Sequence, residues 1–107
     1  ANLSGKIGYM IDLTSKQRKI LEKAAHHIEP IVIIGQNGVT EAQSTHVKNA
    51  FKTHEILKVK FNEFKEGKQE LANWIAEDTD STLVRIIGNV ATFYRQAENP
   101  ENRKIKL

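Results

Sequence analysis

Residues Ile31-Val32-Ile33-Ile34-Gly35-Gln36-Asn37-Gly38-Val39-Thr40 hold three signals in ten positions. Four apolar β-branched residues make a short strand, and being apolar on both faces it is expected to lie centrally in a sheet. Thr40 with Gln43 matches a capping box, so a helix starts there. Between them stand two glycines, Gly35 and Gly38. One reading is a tight strand-to-helix turn with Gly38 at positive φ. The other is a phosphate cradle, in which missing side chains admit a sugar-phosphate backbone to the helix start. The residues alone weigh these two readings equally. The stretch is not a Walker A loop and not G-x-G-x-x-G.

Outward from this strand–turn–helix unit the pattern continues. Upstream, Thr14 and Gln17 form a second capping box. Ile20, Leu21, Ala24, Ala25 and Ile28 then recur at helical spacing. That helix is expected to end near His27, because Pro30 disfavours helix before it. Downstream, the second helix is expected to run to about Thr53, with Val47, Ala50 and Phe51 inward. A strand follows over residues 56–61, with Leu57, Val59 and Phe61 on one face and Lys58 and Lys60 on the other. A third helix over residues 68–78 turns Leu71, Ala72, Ile75 and Ala76 inward, with Trp74 at the boundary. Residues 82–87 and 90–95 read as a hairpin through Gly88-Asn89.

The order α-β-α-β-α-β-β predicts one α/β domain. Its four-stranded mixed sheet carries helices mainly on one face. The other face carries Lys58 and Lys60 and is partly open to water. Residues 1–12 have two glycines and no clear period. They are read as a flexible leader, part of it an expression remnant. From about residue 96 the chain reads as a polar, proline-interrupted tail.

Composition narrows the function. The chain has 107 residues and no cysteine, which removes disulfides, thiol nucleophiles and Cys-based zinc sites. No apolar run approaches the ~20 residues of a membrane span. A cytoplasmic protein is expected. His26, His27, His46 and His54 lack the paired spacing of metal ligands, and surface or helix-end positions explain all four. No serine sits in G-x-S-x-G, and nothing assembles a nucleophile, a base and an oxyanion donor. No catalytic residue, metal or cofactor is assigned.

The net charge is +3, mildly basic, so placement must decide its meaning. Lys16, Lys19 and Lys23 share one face of the first helix, away from its apolar stripe. That helix should run roughly antiparallel to the first strand, which would bring Lys16 and Lys19 near Gly35–Gly38. Lys48 and Lys52 on the second helix would extend the surface, and Glu22 and Glu41 dilute it. The aromatics form no stacking platform, so backbone and shape recognition of RNA is expected over base reading.

At this point the chain resembles the CRM domain family in its stand-alone bacterial, YhbY-like form. The resemblance rests on Leu13-Thr14-x-Lys16-Gln17, Ala25-His26, Pro30, Ile34-Gly35-Gln36-Asn37-Gly38-Val39-Thr40-Glu41, His54-Glu55 leading to Lys58-Val59-Lys60, Ile87-Gly88, Tyr94-Arg95 and the closing Lys104-Ile105-Lys106-Leu107. It spans residues 13–107. Small departures are Ile56-Leu57 and Ala91-Thr92-Phe93, both packing positions. The family implies a fold similar to the C-terminal domain of translation initiation factor three. It also implies association with precursors of the large ribosomal subunit, and a G-x-x-G loop thought to contact RNA.

The expected function is therefore non-catalytic binding of large-subunit rRNA or its precursor by a monomer, with no small-molecule substrate. The candidate RNA-binding residues are Gly35, Gln36, Asn37, Gly38, Thr40, Lys16, Lys19, Lys23 and Lys48. The alternative is a module that docks on a ribosomal protein or assembly factor, with the glycine loop a structural turn.

Overall fold

Both threonine boxes form. In the computed structural model, which describes residues 13–62, 67–105 and 107, Thr14 Oγ1 accepts the Gln17 N–H at 3.1 Å and Gln17 Oε1 accepts the Thr14 N–H at 3.0 Å. They open helix α1, Ser15–Ala25. Thr40 and Gln43 repeat the exchange, at 3.1 Å each way, to open α2, Glu41–Ala50. Each box satisfies donors that a helix start would otherwise leave open. Helix α3, Lys68–Asp78, has no side-chain cap and starts from Gly67 at φ 75°. The strands are β1 (Pro30–Ile34), β2 (Ile56–Phe61), β3 (Thr82–Ile87) and β4 (Val90–Tyr94). Helix α2 stops short of Thr53, because the N–H groups of Lys52 and Thr53 bond only three residues back, to the Asn49 and Ala50 carbonyls. The leader expected over residues 1–12 lies outside the described residues.

The sheet order is β1-β2-β4-β3, with β1 and β2 parallel and β4 antiparallel to both neighbours. The predicted hairpin turns at Gly88, φ 59°, a left-handed conformation that glycine adopts at no steric cost. One expectation fails: β1 is an edge strand. Its apolar pattern suggested burial on both faces, but β4 inserts between β2 and β3, and β1 is left outside. Val32 and Ile34 face the core, and Ile33 is 55% exposed. Both edges carry side-chain donors. Gln43 Nε2 donates to the Ile33 carbonyl at 3.0 Å, and Arg18 donates to the Leu83 and Val84 carbonyls on β3. Such contacts blunt an edge against further strand pairing.

Two helices cover one face and one covers half of the other. Val47 and Phe51 of α2 and Ala72, Ile75 and Ala76 of α3 pack on Leu57, Val59, Phe61, Ala91 and Phe93. Asp78 ties these helices together, accepting a hydrogen bond from Ser44 and pairing with Lys48 Nζ at 3.4 Å. On the opposite face Leu21 and Ala25 of α1 pack on Ile56, Val84 and Tyr94. A single helix over half a face needs only a narrow apolar strip. Ile20 and Ala24, grouped with the buried stripe by periodicity, are therefore exposed.

The tail folds back. Glu55, 9% exposed, accepts the N–H groups of Ala97 (3.1 Å), Lys104 (2.7 Å) and Ile105 (3.2 Å), and Ile105 packs beside Tyr94. Tyr94 is fully buried, and its phenol is pushed up to about 12, first by burial and then by the Glu55 charge, with Arg103 and Gln96 opposing. The sign follows: above pH 10 an unfolded tyrosine gives up its proton while the folded one holds it, so stability falls as pH rises from 10 to 12. Absorbance at 295 nm, wild type minus Tyr94→Phe, should place this phenolate near pH 12. A midpoint near 10 would contradict the burial.

Candidate nucleic-acid interface

The glycine stretch forms a closed turn at the exit of β1. The Gly38 N–H donates to the Gly35 carbonyl at 3.1 Å, and the two glycines pair as an isolated antiparallel bridge. Gln36 and Asn37 are the exposed tip. Gly38 has φ 75°, so its glycine is required by the backbone. Gly35 differs. Its φ is ordinary, and a Cβ built there meets nothing within 4 Å. Neither conformation nor internal packing demands glycine at 35. What the missing side chain leaves is bare backbone toward the outside.

The turn delivers the chain to the α2 start. There the capping box uses the Thr40 and Gln43 N–H groups. The amides of Glu41 and Ala42, at the first two helical positions, point out of the helix end by its geometry. Their partial positive charge favours an anion, and the Glu41 carboxylate opposes one. Thr40 is committed to its cap.

The fold does not gather all the predicted cations here. Lys16, Lys19 and Lys23 are exposed on α1, as expected. But Arg18 anchors the first turns of α1 on β3, the edge opposite β1. Three strand spacings, about 14 Å, separate those edges. The antiparallel argument fixed the direction of the first helix but not its sideways position. Leu21 and Ala25 must reach Val84 and Tyr94, and that draws α1 across the sheet. Lys48 is in the last turn of α2, away from the helix start that the glycine turn feeds, and is paired with Asp78.

Other polar groups lie closer. Register places Ile34 opposite Phe61, and the Asn62 N–H donates to the Ile34 carbonyl at 2.8 Å. Asn62 is therefore beside Gly35. Lys60, opposite Ile33, is exposed on the open face, diagonal to Gly35 at about 8 Å by sheet geometry. At the same end, the Asn89 carbonyl accepts the Phe61 N–H at 2.7 Å, and Lys68 Nζ donates to the Gly88 carbonyl and reaches Asn89 Oδ1 at 3.5 Å. Lys60 was legible as a face residue through its alternation with Val59. Its nearness to the loop needed the β1–β2 register. Among the described residues no group of three or more histidines, aspartates or glutamates could hold a metal ion. His26 and His27 only meet edge to face, with ring centroids 5.2 Å apart.

Fold and turn together define an α/β domain that presents a closed glycine turn, its tip exposed, at the head of a capped helix. The chain belongs to the CRS1 / YhbY (CRM) domain family, whose profile matches residues 13–95. It is 38% identical over 90 residues to an RNA-binding protein of Haemophilus influenzae, covering 83% of this chain and 91% of that one. It is 33% identical over 96 residues to the probable RNA-binding protein YqeI of Bacillus subtilis, covering 89% and 98%. The solution structure of a hypothetical protein from Staphylococcus aureus superposes with a TM-score of 0.72 at 33% identity, covering 89% of this chain and all of that one.

Proposed function

We propose that the chain binds RNA without catalysing a reaction, and that its target is large-subunit rRNA or its precursor during ribosome assembly. In this reading it acts in the cytoplasm as a monomer and needs no cofactor. The turn Gly35–Gly38 holds a stretch of sugar-phosphate backbone, and the exposed Gln36 and Asn37 flank it. Cations around it hold the neighbouring phosphates: Lys60 nearest, with Lys16, Lys19, Lys23 and Lys48 acting at longer range. The observation that carries the reading is Gly35, a glycine that nothing inside the protein requires. The names of the relatives from Haemophilus influenzae and Bacillus subtilis agree with RNA binding, the broader part of the reading.

Binding to large-subunit rRNA fragments across a salt series tests the proposal. Affinity should fall linearly on a log–log plot, by about 0.7 per neutralised phosphate where the contacted RNA is single-stranded. Failure to bind any fragment, with retention on a ribosomal protein or assembly factor instead, would move the function to a protein-docking module.

A further inference from the structure

The half of the sheet that α1 leaves uncovered has a composition the loop does not account for. Ile33 pairs with Lys60, Lys60 with Val90, and Val90 with Ile87. These four residues form one row across all four strands, on the face away from α2 and α3. The row is about 14 Å long. Its two ends are isoleucines exposed by 55% at Ile33 and 65% at Ile87, and Lys60 between them is also exposed. The next row runs Lys58, Thr92, Arg85. Only the row after that, Ile56 with Tyr94, goes under α1.

The charge that the strands themselves bring to this face has one sign. The four strands contain three charged residues, Lys58, Lys60 and Arg85. All three are cations, and the register puts all three on this side. Arg85 is held by Glu22 of α1 at 2.6 Å, and both lysines stand in the open part. Exposed isoleucines on both edge strands are a liability in a sheet that has no further role for them. Lysines interleaved with apolar side chains instead suit a polyanion whose rings can rest on apolar surface.

We infer that this open face is a second RNA-contact surface, which receives a single-stranded segment continuing from the glycine turn. The inference rests on the RNA reading of the loop. Ile33 lies two residues before Gly35 on the same strand, so a strand leaving the turn meets this row first. Lys58 and Lys60 contact phosphates, and Ile33, Val90 and Ile87 support sugars and bases. With no aromatic residue in the row, the contact is tolerant of sequence.

The test uses protein carrying 13C at isoleucine δ1 methyls, titrated with a 12-nucleotide oligouridylate and with a large-subunit rRNA fragment. The Ile33 and Ile87 methyls should shift on binding, while buried Ile56 and Ile75 stay in place. Lys58→Gln/Lys60→Gln should weaken binding roughly tenfold and lower the log–log salt slope by about 1.4, two phosphates' worth for a single strand. Its thermal midpoint should match the wild type, since neither lysine is in the core. The inference is overturned if RNA binds through a charge-sensitive loop while those methyls stay still and Lys58→Gln alone has no effect; the glycine turn with its neighbour Lys60 then survives alone. Absence of RNA binding by the wild type removes both. Shifts of Ile33 and Ile87 with a polyglutamate peptide but not with RNA would overturn it in favour of an acidic protein partner.

Discussion

Gln36→Glu/Asn37→Asp should weaken binding to large-subunit rRNA about 30-fold, with folding stability unchanged. Both residues are exposed at the tip of the turn, and the hydrogen bond that closes it runs between the backbones of Gly35 and Gly38. Neither side chain is needed to form it. A carboxylate about 6 Å from a phosphate, in surroundings between water and protein surface, opposes it by roughly 1 kcal/mol. Two such contacts give about 2 kcal/mol, which is about 30-fold. The weakening should shrink at high salt. Gly35→Ala separates the roles of the two glycines. It should leave the midpoint of thermal unfolding in place and still weaken RNA binding, because its methyl group points into open space. Gly38→Ala should destabilise the fold by about 1 kcal/mol through its positive φ. Equal affinity of the acidic loop variant and the wild type, measured by fluorescence anisotropy, would take the loop out of the RNA site.

Element identity was legible because each element carries its own local signal. Both capping boxes, the alternation in β2 and the Gly88-Asn89 turn are local features, and each formed as read. Lateral arrangement was not legible. The sequence neighbours β3 and β4 pair as expected, but that β4 also pairs with β2 depends on long-range register. This pairing pushes β1 to the edge and exposes Ile33. A strand apolar on both faces therefore had a second meaning: one face for the core, the other for an uncovered surface.

The candidate site divides the same way. The turn itself was readable from Gly35, Gly38 and Thr40, because strand end, glycine spacing and cap are contiguous. The cations around it were not. The lysine stripe on α1 was correctly placed on the exposed side of its helix. Its distance from the loop depends on where Leu21 and Ala25 find partners, and those partners lie on β2, β3 and β4. Lys60 had the opposite fate. Alternation put it on the open face, and parallel pairing with Ile33 then carried it to the loop.

Glu55→Ala should have the largest effect on stability, lowering it by about 3 kcal/mol. Three backbone amides, from Ala97, Lys104 and Ile105, converge on one nearly buried carboxylate. Hydrogen bonds to a charged acceptor contribute about 1.5–3 kcal/mol each when the freed donors stay dry. Here the segment can lift and rehydrate, so the net loss is smaller than the sum. What remains includes the packing of Ile105 on the cluster of Leu21, Ile56 and Tyr94. For a domain of this size the unfolding midpoint should drop by roughly 15 °C. Glu55→Gln should fall between: it keeps an oxygen for Lys104 and Ile105 but can turn an NH2 donor toward the Ala97 N–H. Two further readouts tie the effect to the clamp. Amide exchange at Lys104 and Ile105 should accelerate more than at Val59 in the centre of β2. The Tyr94 phenol should also titrate below its wild-type value of about 12, because loss of the Glu55 charge and of burial as the tail lifts, the two largest causes of the shift, outweigh the loss of the opposing Arg103. RNA affinity of the folded Glu55→Gln protein should stay at the wild-type level. Glu55 precedes the start of β2, whereas the glycine turn follows the end of the parallel strand β1, so the clamp and the turn lie at opposite ends of the sheet.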